Sequence, residues 1–414
     1  MNAHVLLATL VAWTTSSARA EEAAPLPSPL RLEQAVQLAR EHRAEIAAAR
    51  ARARASAQRP AIVSALDDPE VSPSVDHLPF MLNGADVSLG FEQRFPLSGI
   101  RGDRRRAAEA DAQRVRAEAD KVQIDVELNA TSAFLMLQER REMARVLEEQ
   151  RALAEQMTRA ATARYAAGTG PQADALRAQI EAARLDGQRR SIVAEVRAAE
   201  VMLNVGLGRP AGAPVPPLEA PAQTEAPPAP EEVRAAAFDG RPELRAGAAE
   251  IDRAQAEVAA MQSMYAPMAM VRTGPAYTMT DGPGWMVMVG VSIPLWRDKL
   301  GAGVAEAQAM AEMARSDLTA MRRMVEGEAL SAREQVAASR ERYLSLRDEV
   351  IPRAKQAIDP SLAGYASGQL PLVSVIEAAQ VLWMAQMELI GAQLELGMAW
   401  ARLGRATGPK GVAR

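Results

Sequence analysis

One uninterrupted helical stretch constrains the fold more than any other feature of this sequence. Residues 103–167 contain neither Gly nor Pro and are rich in Ala, Glu, Arg, Gln and Leu, which long packed helices favour. A helix from about Arg101 to Arg164 would be roughly 100 Å long at a rise of 1.5 Å per residue. Its apolar residues recur at steps of four and seven, as in a coiled-coil seam, at Val122, Val126, Ala133, Leu137 and Ala144. Such a helix must pack beside other long helices, because a compact globule cannot contain it.

The helical pattern is interrupted at Gly168, restarts at once, and is interrupted in the same way 200 residues later at Gly368. Several short segments have counterparts at nearly the same offset: Arg43–Ile46 with Arg241–Leu244, Asn83-Gly84 with Asp281-Gly282, Phe95–Leu97 with Ile293–Leu295, Tyr165–Gly168 with Tyr365–Gly368, and Leu207–Arg209 with Leu403–Arg405. This pattern predicts an internal duplication. The first repeat would span 21–210 and the second 231–408, with a Pro/Ala-rich extended linker at 211–230 and a tail at 409–414.

The beginning of the chain is typical of an exported protein. Residues 1–20 resemble a secretory signal peptide, with the short apolar core VLLATLVAW and the cleavage site Ala18-Arg19-Ala20. The chain has no Cys, which excludes disulfides, thiolate metal sites and a lipid anchor on an N-terminal Cys. No uninterrupted apolar run of about 18 residues follows, so no transmembrane helix is expected. The formal net charge of −4 predicts no surface for nucleic acid.

Each half has the same predicted order of elements, so the fold class is mostly α with a small β part. A first helix, about 32–58 or 231–263, precedes two short strands, and a long helix, a break and a return helix follow. The strands are expected at about 69–79, 85–96, 267–279 and 284–295. The turns between them are Asn83-Gly84 and Asp281-Gly282, which tolerate the positive φ of tight hairpins. The second long helix is expected from about Val304 to Val350, where Pro352 ends or kinks it.

The second strand of each pair has two different faces. One face is apolar and is predicted to face lipid, with Val87, Leu89, Phe91, Trp285, Val287, Val289 and Val291. The opposite face is polar, small or Met, which is the alternation of a wall between lipid and an aqueous lumen. Four strands are too few for a barrel, which needs about eight, and lipid does not tolerate open sheet edges. Three copies would supply about twelve strands, so a homotrimer in outer membrane lipid is predicted.

Together and in this order, these features resemble the TolC-like outer membrane efflux proteins over nearly the whole mature chain. The resemblance rests on the duplication, on the strand exits Phe95-Pro96-Leu97 and Ile293-Pro294-Leu295, and on two Y-A-x-G breaks followed by Ala178-Gln179 and Ala379-Gln380. It implies a trimeric β-barrel of about twelve strands in the outer membrane, continued by an α-helical barrel across the periplasm. It also implies a passive conduit for a tripartite export system, with a periplasmic adaptor protein and an inner-membrane pump of the resistance-nodulation-division type. A weaker similarity is to the CzcC-like heavy-metal efflux subgroup, with metal ions or small toxic compounds as cargo.

The two breaks, at about 165–171 and 365–371, are expected to be hairpin tips at the periplasmic end, because Gly lets the backbone reverse and Pro suits the first turn of the return helix. The resemblance assigns adaptor docking to tip residues Tyr165, Gly168, Thr169, Tyr365, Gly368 and Gln369, while plain turn chemistry is the alternative. It implies a periplasmic gate six and nine residues beyond the tip glycines, at Asp174, Arg177, Ser374 and Glu377. Ser374 replaces an acid expected there, and Arg177 is a candidate partner of Glu377. Solvated helix charges are the alternative for these four.

The Met residues of the second strand pair raise the question of a soft-metal path, since thioethers bind Cu(I): Met268, Met270, Met279, Met286 and Met288. Adaptable apolar packing is the favoured interpretation, because the mature chain has no Cys and only two His, His42 and His77. No metal site is predicted. No nucleophile motif, phosphate loop or nucleotide fingerprint occurs, so neither an enzyme activity nor a cofactor is expected. The alternative function is a periplasmic coiled-coil scaffold without a channel, and so few strands disfavour a diffusion porin.

Overall fold

The computed structural model of the protein describes residues 25–76, 86–219 and 224–408. The predicted signal peptide, the Asn83-Gly84 turn, His77 and the tail lie outside these residues. The described part is mostly helical with one small sheet, which confirms the predicted class.

The elements of the first half are α1 (Leu32–His42), α2 (Ala44–Ser56), α3 (Arg59–Ser64), β1 (Glu70–Asp76), β2 (Asp86–Pro96), α4 (Ile100–Ala166) and α5 (Gln172–Gly206). Those of the second half are α6 (Pro230–Gly240), α7 (Pro242–Ser263), β3 (Met268–Thr278), β4 (Gly282–Ser292), α8 (Arg297–Ser345), α9 (Ile351–Ala366) and α10 (Leu372–Thr407). A π-helical turn, Leu346–Val350, joins α8 to α9. The same types of element therefore occur in the same order in both halves.

The first helix of each half is not continuous, so the predicted spans 32–58 and 231–263 were wrong in this respect. The breaks fall at Arg43 and Arg241, whose backbones are extended. Pro242 explains the second break, because the residue before a proline is disfavoured in helical geometry. No proline follows Arg43, whose guanidinium instead donates to the Val205 carbonyl at 2.8 Å and to the Glu45 carboxylate. A long-range contact therefore accompanies the first break.

The long helices form a layer in which α4 packs against both α5 and α10, and α7 lies between α4 and α8. Helix α4 has 67 residues without interruption. Its counterpart continues beyond Val350, because the π-helical turn places Pro352 in the first turn of α9, where a missing N–H is harmless. Several small cores of Ala, Leu, Val and Met follow one another along the helices. Small side chains let these helices approach closely.

Among the described residues, α10 alone is long and apolar enough, by length and composition, to cross a membrane. The sequence prediction concerned an uninterrupted apolar run, which α10 is not, because it contains Glu377 and Glu388. The core helix of a soluble protein meets the same criterion, and α10 buries Leu372, Trp383 and Leu403 against neighbouring helices. Its composition therefore also fits its place in the helical layer.

The linker between the halves is extended, but it is anchored to the helices. Leu218 forms a parallel bridge with Leu30 and packs on the core of α1, α4 and α5. Arg141 of α4 donates to the carbonyls of residues 215 and 216, and arginines of α8 donate to those of residues 224 and 228. Arginine side chains from the long helices thus hold the described parts of this strap in place.

The four strands form one antiparallel sheet in the order β1-β2-β3-β4. The pairing of β2 with β3 joins the two halves, for example Val87 with Tyr277 and Phe95 with Ala269. Strands β1 and β4 are the edges of the sheet in a single chain. The sequence predicted the two hairpins, but it did not predict that they pair to form one four-stranded sheet.

Candidate channel wall and docking tips

One face of the sheet is apolar across all four strands. Residues directly opposite each other in an antiparallel pair share a face, so the pairing register defines the face. Its apolar members are Val71, Pro73, Val75, Val87, Leu89, Phe91, Phe95, Ala269, Val271, Pro275, Tyr277, Pro283, Trp285, Val287, Val289 and Val291. All seven residues predicted to face lipid lie here, and Val289 is 70% exposed. Within the described residues, a single chain therefore presents a broad, exposed apolar surface.

Two donor side chains on this face, Trp285 and Gln93, have hydrogen-bond acceptors within the chain. Trp285 donates its indole N–H to the Thr273 hydroxyl at 2.7 Å, and Gln93 donates to the Asp67 carbonyl at 2.9 Å. A buried or lipid-exposed donor without a partner would cost several kcal/mol. The face is therefore suited to an apolar surrounding.

Aromatic side chains mark both ends of the apolar face. Tyr277 and Trp285 lie near the turn between β3 and β4, and Phe95 and Trp296 lie at the opposite end. The span from Trp285 to Trp296 corresponds to about 36 Å of extended chain, or about 28 Å along the membrane normal at the usual strand tilt. Membrane barrels carry an apolar band of similar height between two aromatic girdles. The sequence interpretation missed Trp296, which is 79% exposed and lies just outside the alternating strand.

The opposite face of the sheet is polar, small or Met. It carries the acids Glu70, Asp76, Asp86 and Glu92 and the bases Arg94 and Arg272. The Arg272 side chain lies flat on Gly90, where an added Cβ would overlap its Nε atom. Met268, Met270, Met286 and Met288 share this face, but no group of three or more His, Cys, Asp or Glu in the described part of the chain could hold a metal ion. The face has the character of a water-facing wall.

Both tips end their first helix with the same motif, in which a glycine has positive φ. Gly168 has φ +70° and Gly368 has φ +78°. In the first tip the N–H of Thr169 bonds to the Arg164 carbonyl and that of Gly168 to the Tyr165 carbonyl. The second tip has the same two bonds, at residues 369 and 368. This is the Schellman arrangement, which satisfies the last carbonyls of a helix.

The prolines that follow the tips lie one residue earlier than expected. Pro171 and Pro371 are extended and immediately precede α5 and α10, instead of occupying the first helical turn. A proline at this cap position cannot offer a side-chain oxygen to the first free N–H groups of the helix.

The two tip tyrosines have opposite environments. Tyr365 is 1% exposed, whereas Tyr165 is 46% exposed. Arg164 donates to the Tyr365 carbonyl at 2.6 Å and to the Thr169 carbonyl at 3.1 Å, and its guanidinium lies 4.7 Å from the Tyr365 ring centre. The Tyr365 side chain therefore packs between the tips and offers no surface to a partner, which corrects the expectation that it contacts an adaptor.

Of the four predicted gate residues, Asp174 lies against the second tip. The Tyr365 hydroxyl lies 3.5 Å from the half-buried Asp174 carboxylate. Burial and this carboxylate raise the pKa of the Tyr365 phenol, which keeps it neutral. Arg177 and Glu377 are exposed, and within the described part of one chain no ion pair joins them. The expected pairing across the helices is therefore absent in a single chain, since both side chains point to solvent. Ser374 is half-buried at the start of α10.

Both lateral edges of the helical layer expose apolar side chains that the sequence interpretation did not single out. Helix α5 packs chiefly against α4 and exposes Leu176, Ile180, Met202 and Val205. Helix α8 exposes Met310, Met313 and Met324. Scattered exposed apolar residues are ordinary, but rows along the edges of a layer are typical of contact surfaces.

Residues 234–409 match the model of the outer membrane efflux protein family. The second half of the chain therefore matches an outer membrane efflux protein domain. It is similar to the cobalt-zinc-cadmium resistance protein CzcC of Cupriavidus metallidurans, with 27% identity over 301 residues that cover 71% of this chain and 70% of CzcC. The family recognised from the sequence, and with it the outer membrane efflux function, is confirmed. The match also favours this function over a periplasmic scaffold.

Solved outer membrane channels share the efflux-protein fold. The outer-membrane channel OprN superposes with a TM-score of 0.79 at 18% identity, over 91% of this chain and 89% of OprN. The CmeC channel of Campylobacter jejuni superposes with a TM-score of 0.78 at 14% identity, over 91% of this chain and 85% of CmeC. CusC gives a TM-score of 0.80 at 13% identity, over 91% of this chain and 92% of CusC. These likenesses show the fold.

Proposed function

We propose that three copies of this chain form an outer membrane channel through which an export system releases its cargo. The observation that carries the proposal is the sheet: one face is apolar between two aromatic belts, the other is polar, and both edge strands are open. Lipid tolerates such a sheet only when its edges are paired. Edge β4 of one copy would pair with edge β1 of the next, and three copies would close a barrel of about twelve strands.

The helices support the same assembly. A row of exposed apolar residues on α5 and another on α8 lie on opposite edges of the layer. In a closed ring each α5 would meet the α8–α9 side of the neighbouring copy. The helical barrel would then extend from the membrane into the periplasm, with the two repeats, 21–210 and 231–408, contributing equivalent walls. Residues 1–20 would direct export of the chain.

The tips would dock a periplasmic adaptor protein, which links the channel to an inner-membrane pump of the resistance-nodulation-division type. Tyr165, Gly168, Thr169, Gly368 and Gln369 are the exposed docking residues in this proposal. The gate would lie just above them, at Asp174, Arg177, Ser374 and Glu377. Arg177 and Glu377, which form no ion pair with each other within the described residues of one chain, would be able to pair between neighbouring copies.

The cargo is proposed to be metal ions of the class named in the CzcC description. Support comes from the 27% identity to CzcC and from the polar wall, on which four carboxylates face two arginines. The channel would conduct this cargo passively, and the described wall holds no cluster of His, Cys, Asp or Glu that would retain a metal ion.

Two matched substitutions test the wall. Val289→Arg places a charge on the apolar face and should cost about 2–4 kcal/mol near the middle of the membrane. Ser292→Arg, on the polar face of the same strand, should be tolerated. Native mass measurement in detergent and heat-modified gel migration would compare trimer yield from the outer membrane. Equal loss for both variants, or a stable wild-type monomer with intact β signal, would contradict the proposed channel.

A further inference from the structure

Basic residues are concentrated where the apolar face of the sheet ends and the long helices begin. Residues 60–93, which contain β1 and most of β2, include six acids but no Lys or Arg. Residues 94–106, which contain the end of β2 and the first turns of α4, include five Arg and one acid. In the second repeat, residues 273–296 contain no Lys or Arg, and Arg297 and Lys299 follow at once. The chain therefore becomes basic at one end of the apolar band in both repeats.

Five exposed bases in the first turns of α4 and α8 form a basic rim: Arg101, Arg104, Arg105, Arg297 and Lys299. The positive end of a helix dipole lies at its N-terminus, where acidic side chains stabilise the helix and basic side chains destabilise it. Local helix stability therefore does not account for the basic rim. An anionic partner outside the chain would account for it.

Little of the positive charge of the basic rim is neutralised within the chain. Among the described residues, Arg105 alone of the five forms an ion pair, with Glu109 at 2.8 Å, and this exposed contact contributes little to stability. Arg297 lies over the Tyr265 ring, 5.6 Å from its centre, and this contact supplies no carboxylate. Three exposed acids near the rim form no ion pair with it in the described part of the chain: Asp67, Asp68 and Asp298. The rim therefore has N–H donors to offer to an outside acceptor.

In the first repeat the basic rim adjoins the apolar face of the sheet. Gln93 lies on that face and donates to the Asp67 carbonyl at 2.9 Å. Arg101 donates to the Ser64 carbonyl, three residues earlier in the same segment, at 2.8 Å. Arg105 lies one turn after Arg101 and therefore on the same side of α4. These two bases thus lie beside the end of the apolar face.

In the second repeat the apolar face leads directly into the basic rim. Leu295 is 75% exposed and Trp296 is 79% exposed, and Arg297 is the next residue. Trp side chains are enriched at membrane–water interfaces, and basic residues close to a membrane surface are attracted to anionic lipids. The order of apolar, aromatic and basic residues is therefore that of a chain that leaves a membrane through its headgroup layer.

We propose that the basic rim binds the phosphate groups of anionic phospholipids at the periplasmic surface of the outer membrane. This inference rests on the proposed function, because it takes the apolar face of the sheet to lie in lipid. Continuity with that face selects a lipid as the occupant, since a headgroup lies at the level where the apolar band ends. Guanidinium groups suit this ligand, because their fixed N–H groups match two phosphate oxygens.

Lipid preference gives the first test. Detergent-purified wild-type trimers would be mixed with equal amounts of a phosphatidylglycerol and a phosphatidylcholine that have the same acyl chains, and native mass spectrometry would count the retained lipids. Both lipids contain a phosphate, but only phosphatidylglycerol has a net negative charge. Trimers should retain at least about threefold more phosphatidylglycerol. This preference should fall at least about twofold between about 50 and about 500 mM ammonium acetate, because salt screens exposed charges. Equal retention of the two lipids would overturn the inference.

Matched substitutions give the second test. Arg105→Gln with Arg297→Gln removes two rim charges whose side chains make only exposed contacts, and should at least halve the preference for phosphatidylglycerol. Arg105→Lys with Arg297→Lys keeps both charges and should retain the preference. The control is Arg116→Gln with Arg159→Gln, two exposed arginines of α4 that lie about 20 Å or more beyond the start of the helix. An unchanged preference in the first variant, or an equal loss in the control, would overturn the inference.

The failure of this inference differs from the failure of the proposed function. A wild-type chain that forms no trimer in detergent would refute both the channel and the lipid site. Trimers that assemble but retain both lipids equally would refute the lipid site alone. If such trimers co-sediment with purified peptidoglycan sacculi, while the variant with Gln at 105 and 297 does not, the basic rim serves that acidic polymer and the inference is overturned.

Discussion

The two tips of this chain share one backbone motif but bury different side chains. Both end in a Schellman turn with a positive-φ glycine, and both carry a tyrosine three residues before it. Tyr365 is enclosed, while Tyr165 is open to solvent. The difference lies one residue earlier: the first tip has Arg164, which covers Tyr365, and the second has Gly364, which has no side chain to cover Tyr165.

This comparison teaches that a repeated motif predicts the turn but not its role. The bonds that reverse the chain lie within six residues, so both copies of the motif make them. The cover over the ring comes from a residue 201 positions away in the chain. Arg164 thereby joins the two hairpins of one chain, whereas Tyr165 stays exposed to solvent.

The largest expected effect on stability is the difference between removing Tyr365 and removing Tyr165. Tyr365→Ala removes the largest fully buried side chain and should destabilise the second tip by about 3–5 kcal/mol. Tyr165→Ala removes a half-exposed ring and should cost at most about 0.5 kcal/mol. Native-state hydrogen exchange of tip amides in detergent-solubilised protein measures both. Equal losses would break the comparison, since they would show that a neighbouring copy encloses Tyr165 as this chain encloses Tyr365.

A smaller effect is expected at the residue that joins the tips. Arg164→Ala removes two charge-assisted hydrogen bonds and a cation–π contact, and should cost about 2 kcal/mol of tip stability. Arg159→Ala, one turn earlier on α4, loses only a weak surface ion pair and serves as the control. Faster exchange at the Gly368 amide should appear in the first variant alone. Unchanged exchange there would mean that Arg164 does not hold the second tip.

The smallest effect tests what the tips have in common. Gly168→Ala and Gly368→Ala should each cost about 1–2 kcal/mol, because both residues have positive φ. The cost should be slightly larger at Gly368, where the new Cβ would lie 3.3 Å from an Arg164 nitrogen, whereas nothing lies within 4 Å at Gly168. Gly187→Ala in the interior of α5 should instead stabilise by about 0.5–1 kcal/mol. Amide exchange at the tips measures the two tip variants, and amide exchange in α5 around Gly187 measures the third. A neutral result at either tip would exclude a strained turn there.

The strands and the first helix also show that local features could be predicted from the sequence and long-range contacts could not. The sequence predicted the apolar face of β2 and β4, because alternation of side chains along a strand is a local property. It did not predict that β2 pairs with β3, which depends on how the long helices bring the halves together. It predicted a continuous first helix, yet the break at Arg43 coincides with a contact to Val205 far along the chain.

The linker and the edges of the helical layer also separate what the sequence predicts from what the structure shows. The Pro-rich composition of the linker predicted an extended strap, but the attachment of the linker by Arg141 and by arginines of α8 was visible only in three dimensions. The exposed apolar rows on α5 and α8 are hard to recognise from the sequence, because the faces of an Ala-rich helix differ little in hydrophobicity. Only their position at the edges of the helical layer indicates that they are contact surfaces.

By itself, the sequence determined the elements whose causes are local: the long uninterrupted helices, the alternating strands and the two turns that require glycine. It also carried enough of the family pattern to show the resemblance to outer membrane efflux proteins. Only the tertiary structure decided which tip tyrosine is buried, which strands join the halves and which surfaces stay uncovered. The physical reason is that periodicity and backbone geometry depend on neighbours along the chain. Burial depends on residues that are distant in the sequence and pack together in the folded structure.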